Sequence, residues 1–127
     1  MRTFNILYAV VGWCIVGLGS LHMLSTLQLL SSTPVFRLWF FGAGMAMALV
    51  GAVNLLHRAY GHSALGIRIV CSVANTLLLC FAIVAGALTT SSLVERAVIV
   101  ALIGAALLLS FVPSACNCSF LPRTSRP

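Results

Sequence analysis

The segment IRIVCSVANTLLLCFAIVAGAL, Ile67–Leu88, decides the fold. Its one charge, Arg68, stands at the start, and Ser72, Asn75 and Thr76 are the only other polar side chains in it. With a rise of about 1.5 Å per residue, a helix of this length spans roughly 30 Å, the thickness of a bilayer's hydrocarbon core. The apolar run is continuous, whereas a membrane barrel strand alternates apolar with polar residues. In lipid the backbone must satisfy its own hydrogen bonds, so the segment reads as a transmembrane helix.

Three more runs of this kind surround it. Upstream, Ile6–Leu30 and Pro34–Leu56 are separated by Ser31-Ser32-Thr33, with Thr33 placed as an N-cap and Pro34 at the first helical position, where a missing N–H costs nothing. Downstream, Thr89-Thr90-Ser91 turns the chain into Ser92-Leu93-Val94-Glu95, the pattern of a capping box, which opens a fourth helix over residues 93–112. Pro113 ends it. The stretch Arg58–Ser63 is the one polar loop of any length between helices. Arg2 ahead of an apolar stretch resembles a secretory signal, but no small-residue cleavage pattern follows and the run outlasts a signal's apolar region, so it is expected to stay as a helix.

The sequence therefore predicts an all-α, polytopic membrane protein: an antiparallel bundle of four transmembrane helices with short loops, forming a single membrane domain over 1–112 and a short cytoplasmic tail over 113–127. Composition agrees. Of 127 residues, 61% are hydrophobic and 6% charged, and the mean hydropathy is +1.16, far more apolar than a soluble domain of this size can bury.

The net charge of +6 rests on seven arginines against one acid, Glu95. They stand singly at the ends of apolar runs rather than in a basic patch, so they read as topology anchors and nucleic acid is not an expected partner. Arg2, Arg58, Arg68, Arg123 and Arg126 fall on one side, Arg37 and Arg96 on the other, which predicts cytoplasmic termini and an inner-membrane location. Trp39 and Tyr60, near opposite ends of the second helix, fit the interfacial aromatic belts.

Helices in lipid associate through small residues that let backbones approach and through occasional polar pairs. Ala9, Gly12 and Gly19 in the first helix, Gly44, Ala48 and Gly51 or Ala52 in the second, and Ala97, Ala101 and Ala105 with Gly104 in the fourth form such stripes. Bundle packing is the expected use of all three, with a homodimer face as the sharper alternative. Asn54 and Asn75 flank the second hairpin at similar depth and read as a cross-helix amide pair, or else as a ligand or ion site.

His22, inside the first helix, is a functional candidate because ionisable groups in a span are costly, although a neutral ring bonded to a carbonyl or to Thr26 is the plainer expectation. Haem on paired histidines fails on distance: at about 1.5 Å per residue, His22 and His57 lie near opposite ends of the bundle, and His62 belongs to the loop. Five cysteines occur at positions 14, 71, 80, 116 and 118, the first three inside apolar runs, where they read as small hydrophobes. Cys116-Asn117-Cys118 is too sparse for a metal site and is open to acylation at most. Glu95 is explained by its cap position.

A lone acid excludes two-carboxylate catalysis, and no nucleophile–base set or phosphate loop is present. No catalytic residue, metal or cofactor is expected. The expected role is a non-enzymatic structural or accessory subunit or a self-associating bundle, whose partners are the lipid bilayer and a second copy or another membrane protein. Two alternatives stand beside it: an oligomeric small transporter or channel lined by His22, Asn54 and Asn75, and a lipid- or quinone-binding component using His22 and Trp39.

Overall fold

The computed structural model describes residues 2–29, 32–61, 63–89 and 92–112. Four helices account for nearly all of them: α1 (Arg2–Ser25), α2 (Pro34–Tyr60), α3 (Leu65–Leu88) and α4 (Leu93–Ser110). All four are long and apolar enough to cross a membrane. Large apolar side chains such as Trp13, Leu38, Leu77 and Leu108 point outward, as expected where the surrounding solvent is lipid and apolar exteriors are stable.

The helix boundaries differ from the sequence expectation in informative places. α1 begins at Arg2 rather than near Ile6, and after Ser25 it tightens into a 3₁₀ turn, Thr26–Gln28. Here the Ser25 and Thr26 hydroxyls bond back to the carbonyls of Leu21 and His22, a competition that commonly distorts a helix. α2 runs one turn past Leu56, so Arg58, Ala59 and Tyr60 are helical rather than part of a loop. The cause is tertiary: His57 is buried in that extra turn, and Arg58 donates to the carbonyl and side chain of Asn5.

The expected N-cap hydroxyl bonds form at Thr33 and Ser92. Thr33 Oγ1 accepts from Phe36 N at 3.3 Å ahead of Pro34, and Ser92 Oγ accepts from Glu95 N at 3.2 Å. At the other end of the α3–α4 turn, Arg96 donates to the Thr89 carbonyl.

α1 and α2 form the tightest pair, running antiparallel through the small residues the sequence singles out. A methyl group on Gly19 would lie 2.6 Å from Ala48 N and from Gly44 O, and one on Gly51 would lie 2.8 Å from Val16 N and 3.0 Å from Gly12 O. Neither backbone can yield, so glycine at these positions sets the closeness of the hairpin. Tyr8, Val11 and Ile15 of α1, Met47 of α2, Leu78 of α3, and Ile103, Ala106 and Leu109 of α4 make the buried core.

The stripe on α4 is corrected in part. Ala97 and Ala101 are exposed, and a methyl on Gly104 would meet nothing within 4 Å. α4 turns Ile103, Ala106 and Leu109 inward, and Ala105 of the predicted stripe packs against that core, partly buried.

Candidate functional site

Asn54 and Asn75 do meet. Asn54 Nδ2 donates to Asn75 Oδ1 at 2.9 Å, and Asn75 Nδ2 donates to Asn54 Oδ1 at 3.0 Å, a reciprocal amide pair joining α2 to α3. It is the middle of a larger cluster. Tyr8 of α1 donates its hydroxyl to Asn54 Oδ1 at 2.8 Å, and the Tyr8 hydroxyl oxygen lies 2.9 Å from His57 Nδ1 and 3.5 Å from Cys71 Sγ. Tyr8, Asn54, His57, Cys71 and Asn75 are each 1% exposed or less.

Helical spacing assembles the cluster. Asn54 and His57 are three residues apart on α2, Cys71 and Asn75 four apart on α3, and such pairs share a face. Tyr8 is carried to them by the α1–α2 packing, and one turn before it Asn5 takes Arg58 Nη2 on its Oδ1 at 2.7 Å. The cluster therefore sits at the end of the bundle where α1 begins, clasping three helices.

Its hydrogen bonds close on one another. Asn54 spends its amide protons on Val50 O at 2.8 Å and on Asn75, and its oxygen accepts from Tyr8 and Asn75, with the Cys71 thiol donating at 3.4 Å. Asn75 Nδ2 also points at Cys71 Sγ at 3.4 Å. An amide offers two donors and two acceptor lone pairs, so both Asn54 protons are used and three donors share its one oxygen.

Tyr8 has a single hydroxyl proton, and the Asn54 oxygen can only accept, so that proton goes to Asn54. With the Tyr8 proton on Asn54, His57 Nδ1 is placed to donate to the Tyr8 oxygen, the arrangement of a neutral ring protonated at Nδ1. The ring also lies edge-on to Tyr8 with centroids 5.8 Å apart. On its other side is Gly61, where a methyl group would collide with the imidazole and with the His57 carbonyl.

His22 lies elsewhere. Its ring stacks on Phe40 of α2 with centroids 3.6 Å apart, at the opposite end of the α1–α2 hairpin from His57. Thr26 bonds the His22 backbone carbonyl, at 3.4 Å, rather than its ring. The two histidines are therefore as separated as the rise per residue requires. Trp39 and Tyr60 are exposed near opposite ends of α2. His62, Cys116, Cys118, Arg123 and Arg126 lie outside the described residues, and among those described no group of three metal-ligating side chains occurs.

Sequence reasoning found the amide pair but missed Tyr8, His57 and Cys71 as its companions. The signal was present for two of them, since His57 and Cys71 stand at helical spacing from the asparagines. Tyr8 carried none, because its place depends on how α1 packs.

A second feature lies between α2 and α3. Beyond the amide pair the two helices leave an open apolar groove, lined by Trp39, Gly42 and Ala46 on one wall and Ala74, Leu77 and Phe81 on the other. His22 is not part of it. No protein-family model matches the chain, and no curated protein or solved structure is significantly similar to it.

Proposed function

We propose that this chain is a non-enzymatic integral membrane protein serving as a structural or accessory subunit, or as a self-associating bundle, in an inner membrane with both termini cytoplasmic. The observation that carries the reading is how polar groups inside the spans are used. The buried amides, phenol, imidazole and thiol satisfy one another at one end of the bundle. Ser20, Ser25, Thr26, Thr76 and Ser110 return their hydroxyls to carbonyls of their own helices. A transport path needs polar groups sharing a face through the whole depth, whereas these are spent locally. The outward alanines of α4 give a neighbouring helix a surface it can approach closely.

The test is cross-linking in native membranes followed by mass measurement in nanodiscs, for the wild type and Ala101→Leu. A discrete homo-oligomer or a single co-purifying membrane protein, lost in Ala101→Leu without a change in the bundle's own melting, is the expected result. A chain that remains monomeric and without a cross-linked neighbour would overturn the reading. Sidedness is tested separately: single cysteines placed beside Arg58 or at either terminus should react only with a permeant thiol reagent, and one at Ser32 with an impermeant reagent added outside.

A second reading, a lipid- or quinone-binding component, is favoured by the α2–α3 groove, whose apolar walls and marginal Trp39 suit a hydrocarbon chain. Retention of a specific lipid or quinone through detergent purification, detected by mass spectrometry, would support it over the first.

A further inference from the structure

We draw no further inference here: the strongest candidate, the open apolar groove between α2 and α3 lined by Trp39, Gly42, Ala46, Ala74, Leu77 and Phe81, is an unpartnered face, and nothing in the structure shows what covers it.

Discussion

Replacing Tyr8 with Phe removes one oxygen atom from the buried cluster and leaves the ring packing in place. The 2.8 Å bond to Asn54, the 2.9 Å bond with His57 and the longer 3.5 Å contact with Cys71 Sγ disappear with it. Asn54 Oδ1 still accepts from Asn75 and Cys71, so its loss is small. His57 Nδ1 loses Tyr8 as its partner inside a site that is 1% exposed. A side-chain hydrogen bond between membrane helices is worth about 0.6 kcal/mol on average and up to about 1.7, and a stranded buried donor costs about 1–3 kcal/mol. Tyr8→Phe should therefore destabilise by about 1–3 kcal/mol, most of it arising at the imidazole. His57→Leu should cost the Tyr8–His57 bond plus imperfect filling of the ring's space. The double variant has no stranded imidazole, so its cost should fall short of the sum by about 0.5–2 kcal/mol. The measurement is reversible unfolding in mixed micelles, with ¹⁵N spectra of the imidazole reporting protonation at Nδ1. A Tyr8→Phe variant as stable as the wild type, strict additivity, or a proton found at Nε2 alone would refute the reasoning.

Gly19→Ala should open the α1–α2 hairpin and destabilise by about 1–3 kcal/mol, because the new methyl meets backbone that cannot move. Gly104→Ala, in open space, should be neutral or slightly stabilising by helix propensity, and equal effects at the two sites in a thermal melt would contradict the packing described. For the amide pair, Asn54→Leu and Asn75→Leu should together cost less than the sum of the single changes, since each alone strands the other's amide. Additive costs in the same unfolding assay would mean that the two amides are not partners in the membrane.

The number and rough extent of the helices were legible from the sequence because each span must be long, apolar and self-satisfied in its backbone bonds, and because Thr33, Pro34 and Ser92 act on neighbours a few residues away. The glycines of α1 and α2 were legible for a similar reason: only the smallest residues allow two backbones to touch. Asn54 and Asn75 could be paired across a short hairpin by counting residues from the loop. What counting could not supply was rotation. Which face of α4 turns inward is decided by competition among all four helices for buried area, and there Ile103, Ala106 and Leu109 turn inward while Ala97 and Ala101 face out. The extra turn of α2 and the placement of Tyr8 against Asn54 and His57 depend on contacts spanning more than forty positions of sequence. No local propensity encodes such contacts. Only when α1 docks does the phenol meet Asn54, His57 and Cys71.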